Sequence, residues 1–117
     1  MKEIIDDGIV YWVGQSASDN WDILEKAKRS DGGSLWLWFH LDNLSSAYVI
    51  VCASRSELKA KGTLKQVIHR AANLCKENGK YSDIPKVGVI YTELKNVKKG
   101  SKVGQVITSK TERIIAN

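Results

Sequence analysis

Two periods of apolar and polar residues run along this chain, and between them they predict most of its elements. Ile9-Val10-Tyr11-Trp12-Val13 is β-branched and aromatic throughout, which predicts a strand ended by Gly14. Trp36-Leu37-Trp38-Phe39-His40 predicts a second strand with two unlike faces. Leu35, Leu37, Phe39 and Leu41 make an ordinary core face, whereas Trp36, Trp38 and His40 share the opposite one. A turn around Asp42-Asn43 leads into Ala47–Ala53, an apolar run that reads as a buried strand. Beyond Pro85 the pattern is again that of strands: Lys86–Thr92, with Val87, Val89 and Tyr91 on one face, then Val103–Thr108 and Thr111–Ile115. Ser109-Lys110 between the last two predicts a tight hairpin.

The helical period is clearest after Gly62. Thr63 and Gln66 stand at capping-box spacing, and Leu64, Val67, Ile68, Ala71, Ala72 and Cys75 form one apolar stripe. Lys65, His69, Arg70, Asn73 and Lys76 fall away from it, and Gly79 is placed to stop the helix in a left-handed conformation. A shorter helix is expected to begin near Asn20, capped by Ser18 or Asp19, with Trp21, Leu24 and Ala27 on one side. Ser30–Ser34, with its paired glycines, is a loop. The elements do not alternate regularly. The expectation is therefore one α+β domain over residues 1–117, with a mostly antiparallel or mixed sheet of five to six strands and two main helices.

Composition narrows the class. A 43% hydrophobic content and a single proline in 117 residues describe an ordinary globular chain, not a disordered one. The longest apolar run is far too short to span a bilayer, and the N-terminal residues lack the shape of a secretory signal. The two cysteines, Cys52 and Cys75, form neither a close metal-ligand pair nor a disulfide framework, so a reduced, cytoplasmic protein is expected. Charge is segregated within the net +5. Residues 1–46 hold four Lys/Arg against eight Asp/Glu, and the remainder fourteen against five. A basic surface patch with a polyanionic partner follows as the expectation.

The densest part of that charge is Glu93–Lys102, where Lys95, Lys98, Lys99 and Lys102 are joined by Asn96, Ser101 and a flexible glycine. Ammonium groups neutralise phosphates, and amides or hydroxyls add hydrogen bonds to backbone oxygens or sugars. The plainer alternative is a solvated basic loop, with Asn96 a turn former first and a ligand group second. His40 has two readings as well: a phosphate, sugar or base contact beside Trp38, or a histidine hydrogen-bonded within the sheet edge. Gly14 and Gly104 read as backbone requirements. No serine or cysteine nucleophile lies in a catalytic motif and no metal-ligand spacing is present, so neither an enzyme, nor a cofactor, nor a metal is expected.

Taken in order, several of these motifs resemble a known family, the NFACT-R RNA-binding domain of ribosome quality-control factors related to NEMF and RqcH. The resemblance spans Tyr11 to Ile107. It rests on Val13-Gly14, Asn20-Trp21-Asp22, the hallmark Trp38-Phe39-His40, the small-residue turn Leu44-Ser45-Ser46-Ala47-Tyr48-Val49, Tyr91-Thr92, Asn96-Val97-Lys98-Lys99, and Val103-Gly104-Gln105-Val106. The stand-alone form of the domain is the variant it is most similar to. Three positions depart from the family pattern: Tyr48 stands for a second histidine, Cys52 for a basic strand end, and Gln15 for a basic residue after the first glycine. The tRNA-recognising domain, helix-hairpin-helix part and coiled coil of the large members have no counterpart in these 117 residues.

What the resemblance implies is a non-enzymatic module for tRNA or rRNA, acting in translation or ribosome-associated quality control. Lys95, Lys98, Lys99 and Lys102 would bind phosphates with help from Arg70 and Asn96, and Trp38 and His40 would supply stacking or sugar contacts. Two alternatives belong to other classes: a protein-interaction module docking on the ribosome or a quality-control factor, and sequence-independent DNA binding through the same surface.

Overall fold

The computed structural model describes all 117 residues. Its elements run β1 (Lys2–Asp6), β2 (Ile9–Val13), α1 (Ala17–Arg29), β3 (Trp36–Leu41), β4 (Val49–Ser54), α2 (Arg55–Ala60), α3 (Leu64–Glu77), β5 (Val87–Glu93), β6 (Val97–Lys99), β7 (Val106–Thr108) and β8 (Glu112–Ala116). Six strands form one antiparallel sheet in the order β1-β2-β4-β3-β5-β8, and β6 and β7 make a separate two-stranded ribbon. The α+β expectation holds.

The sheet is covered on both faces because β3 is apolar on both. Leu37, Phe39 and Leu41 pack with Val49, Val51 and the stripe of α3, including Val67, Ala71 and Cys75. On the other side Trp38 and Ile50 meet Trp12 and the α1 residues Ile23, Leu24 and Ala27. Two residues of the basic segment, Leu94 and Val97, complete this second core. Burial of apolar surface thus fixes the basic segment to the sheet.

Local differences from the sequence reading have identifiable causes. Strand β1, unforeseen, pairs with β2 across Asp7-Gly8, both at positive φ, as a two-residue hairpin requires. Helix α1 starts three residues early because Ser16, not Ser18 or Asp19, caps it: Asp19 N–H donates to Ser16 Oγ, and Asp19 Oδ2 accepts from Gln15 N–H. Leu35 is not on the core face; it lies in a 3-10 turn, 44% exposed. The capping box belongs to Ser54 and Glu57 at the start of the unforeseen α2, while the Thr63 hydroxyl donates backwards to the Leu58 carbonyl. Gly79 is not left-handed, and Asn78 ends α3. Lys76, expected outside, is buried at the end of α3.

The largest correction concerns Val103–Thr108 and the hairpin. Only Val106–Thr108 is a strand, and it pairs with β6 inside what reads as a basic loop. Ser109-Lys110 therefore passes the chain from the ribbon to the main sheet, where β8 pairs with β5. Thr92 stitches this crossing: its Oγ1 lies 3.2 Å from the carbonyls of Ser109 and Lys110 and accepts from Asn96 Nδ2 at 3.0 Å.

Candidate nucleic-acid interface

Leu94 and Val97 point inward, so the intervening and following lysines are turned out. On the ribbon Lys98 stands opposite Ile107, and Lys99 opposite Val106. Lys98 and Lys102 have no acidic partner. Lys99 is paired with Glu25 and lies 4.8 Å over the Trp21 ring, and Lys95 approaches Glu93 at 3.9 Å. Lys28, unforeseen, extends the cluster from α1. Its Nζ donates to the Val97 carbonyl, and its pKa is held below the ordinary lysine value by burial and by the neighbouring Lys98 charge. Lys28, Lys98 and Lys99 thus gather where α1 meets the ribbon, and of the four lysines of the basic segment Lys98 and Lys102 carry no ion pair.

Lys102 also lines a cleft of about 730 Å³. The first turn of α1 and the Ser45-Ser46-Ala47 turn form one side, residues 102–105 the other, and His40 belongs to the same lining. The aromatic strand and the basic segment therefore adjoin, through His40. The cleft lining contains no Asp or Glu.

Three side chains hold these walls in register. Asn20, buried beneath Gly14, accepts from Tyr48 N–H at 3.0 Å and donates to the Ser46 carbonyl at 3.3 Å. A Cβ on Gly14 would fall 1.9 Å from Asn20 Oδ1, so the glycine is required by this approach. Tyr48, fully buried, donates through its hydroxyl to the Gly104 carbonyl. Trp21 Nε1 donates to the Gln105 carbonyl at 3.0 Å. Gly104 itself is left-handed (φ +85°) and packs against Ala17. Tyr48 is thus no vacancy left by a lost histidine but the tie between sheet and basic segment.

His40 lies with its ring stacked on Trp38 at 5.8 Å and edge-on to Tyr48 at 5.6 Å. Its Nδ1 is 2.7 Å from the Leu41 carbonyl, which only accepts, so Nδ1 carries a proton. Burial lowers the His40 pKa from the ordinary histidine value, against the opposing pull of the Leu41 and Ser46 backbone. Burial thus favours the uncharged ring, in which Nδ1 donates to the carbonyl and the other nitrogen is an acceptor.

Two expected site residues lie elsewhere. Trp38 is 1% exposed and sealed between the sheet and α1, so it offers no face to a base. Arg70 belongs to α3, on the opposite face of the sheet, where it pairs with Asp6 at 3.2 Å and Glu77 at 3.8 Å. The second cleft, beside Arg70, is lined by Asp6 and Asp7 and repels a polyanion. Asn96 is spent on Thr92. Sequence reasoning missed Tyr48, Trp21 and Lys28 as parts of the site because each acts through a partner distant in sequence. The small-residue turn after His40 was the one local signal.

Comparison with known proteins bears on the family and the fold. Coiled-coil domain-containing protein 25 from Mus musculus and from Bos taurus are each 32% identical to it over 98 residues. That match covers 81% of this chain and 44% of theirs, so the chain spans less than half the length of the curated relatives it matches. The C-terminal part of the fibronectin/fibrinogen-binding protein from Streptococcus suis shares the fold, with a TM-score of 0.75 at 22% identity, covering 97% of this chain and 43% of that one. The family model for the NFACT protein RNA binding domain matches residues 5–111. With that match over nearly its whole length, the chain belongs to the NFACT protein RNA binding domain family and is an RNA-binding domain.

Proposed function

We propose that this domain binds structured RNA, tRNA or rRNA, as a non-enzymatic module of translation or ribosome-associated quality control in the cytoplasm. The observation that carries the reading is the lysine field on the β6–β7 ribbon beside an acid-free cleft. Lys98 and Lys102, unpaired, make the primary phosphate contacts; Lys95 and Lys99 join them by exchanging a carboxylate for a phosphate. Ribosomal proteins or quality-control factors are the further partners this role brings. The test is competition between tRNA, single-stranded RNA and duplex DNA at fixed salt, followed by a salt titration. Preference for tRNA with a steep loss of affinity as salt rises is expected; equal affinity for duplex DNA would make the domain a general polyanion binder.

A second reading has its own observation. Ile107 and Val103 are 66% and 57% exposed among these lysines, an arrangement suited to docking on a protein. Salt-tolerant binding to a ribosomal protein, lost on Ile107→Ser, is its signature.

A further inference from the structure

The acid-free cleft has a shape and a chemistry that phosphate neutralisation alone does not use. At about 730 Å³ it lies within the range of roughly 300–1,000 Å³ that small ligands occupy. Only three of its fourteen lining residues are hydrophobic, and side-chain amides and hydroxyls stand among the rest, so a ligand with hydrogen-bonding groups is suited to it. Lys102 supplies the one lysine of the lining, and His40 the one aromatic ring.

The walls are also held in place before any ligand arrives. Tyr48 and Trp21 fasten residues 104 and 105 from behind, and Asn20 fastens the Ser45–Tyr48 turn to α1. The inner face of the His40 ring rests on Trp38, which fixes its plane. By contrast Gln15 and Ser45, at the rim, are exposed and make no side-chain hydrogen bond. A rigid floor with free polar groups at the mouth is what reading a single splayed residue requires.

Resting on the RNA-binding reading, we propose that this cleft receives one unpaired ribonucleotide, its phosphate at Lys102 and its sugar or base edge against His40. Sequence-selective contacts to RNA are made largely to nucleotides extruded from a helix, whose edges and 2′-hydroxyl become accessible. The ribbon lysines hold the flanking paired region by its phosphates, and the cleft takes the residue that leaves the stack. With Nδ1 donating to the Leu41 carbonyl, the other nitrogen of the uncharged His40 ring is an acceptor, for which a 2′-hydroxyl is a fitting donor that a deoxynucleotide lacks.

The experiment compares two hairpin RNAs of equal length, one fully paired and one with a single bulged nucleotide, by fluorescence anisotropy at fixed salt. A third hairpin carries 2-aminopurine at the bulge to report whether that base leaves its stacked position. Binding about tenfold tighter to the bulged hairpin is expected, with a change in 2-aminopurine emission. Ser45→Phe, which plugs the mouth from an exposed position, should erase the preference while the paired hairpin binds as before, and His40→Ala, which opens the floor, should erase the preference as well. A melting temperature measured for each variant establishes that it is folded, and either folded variant suffices. Equal binding of the two hairpins by the unmodified protein would overturn the cleft proposal and leave RNA binding intact. A preference that survives both plugging and opening would place the bulge elsewhere and overturn it too. Failure of every RNA to bind at low salt would overturn the RNA-binding reading and this inference with it.

Discussion

The hydroxyl of Tyr48, in the turn leading into β4, donates to the carbonyl of Gly104, 56 residues away in the basic segment. Burial pushes the Tyr48 pKa up to about 12, so the phenol remains a donor throughout the neutral range. Tyr48→Phe removes that donor while keeping the ring. The expected result is a loss of about 0.5–1.5 kcal/mol in urea unfolding at an unchanged m-value. RNA affinity should fall as well, because residues 102–105 lose their tie.

Lysines in the same ribbon should differ in what they contribute. Lys98 is unpaired, whereas Lys99 must leave Glu25 to reach a phosphate. Lys98→Ala is expected to lower the slope of log affinity against log salt by about 0.7–0.9, with Lys99→Ala giving less. Glu25→Gln releases Lys99 and should tighten RNA binding about two- to fivefold. Anisotropy titrations across a salt series give all three.

Trp38 and Arg70 provide the opposite outcome, variants that leave RNA affinity unchanged. Trp38 Nε1 is buried without a hydrogen-bond partner. Trp38→Phe trades lost volume against relief of that orphan, so stability should stay within about 2 kcal/mol of the original. Arg70→Ala breaks two exposed ion pairs for about 0.2–1 kcal/mol. A drop in RNA affinity for either folded variant would contradict the interface described here.

Gly14→Ala should be among the most damaging single substitutions. Its new Cβ collides with Asn20 Oδ1 and Cγ, at 1.9 and 2.9 Å, and Asn20 cannot yield without releasing Tyr48 and Ser46. A loss on the order of 2–4 kcal/mol is expected, read as a lowered thermal midpoint.

His40 gives stability a pH dependence of defined sign. Its folded pKa lies below the unfolded value of about 6.5, so the unfolded chain binds the proton more readily. The contribution is fully present above pH ~6.5 and is lost as pH falls from there through the folded pKa. Urea unfolding between pH 7.5 and 5 should show that decline, and His40→Asn should flatten it.

Much of the fold was legible because it is written in short-range pattern. Trp36–Leu41 has two apolar faces, and the structure puts a core on each. The stripe of α3 is read just as directly. What escaped depends on partners far apart in sequence. The segment Glu93–Lys102 looks like a loop because its lysines dominate, yet Leu94 and Val97, three apart, lock it into the second core. Thr63-x-x-Gln66 and Ser54-x-x-Glu57 are equivalent as local signals, and tertiary context selects the second. The Asp7-Gly8 hairpin is a local signal, a two-residue turn between Lys2–Asp6 and Ile9–Val13. Within the site, His40 and Lys102 were legible as chemistry, but their meeting across one cleft was not.

A sheet roofed on both sides has a consequence for how such a domain diversifies. In an open-faced sheet the residues that touch RNA also build the platform, so a change of specificity risks the fold. Here β3 is committed to the interior except at its half-buried Trp36 and His40, and contact with a partner falls chiefly to the rim: the ribbon, two turns and the start of α1. Positions such as Gln15, Ser45 and Lys98 can be exchanged almost freely, while Gly14, Asn20 and Tyr48 keep the frame they stand on. Paralogues could thus drift from one RNA to another by substituting a few surface residues, with folding stability as a nearly independent trait.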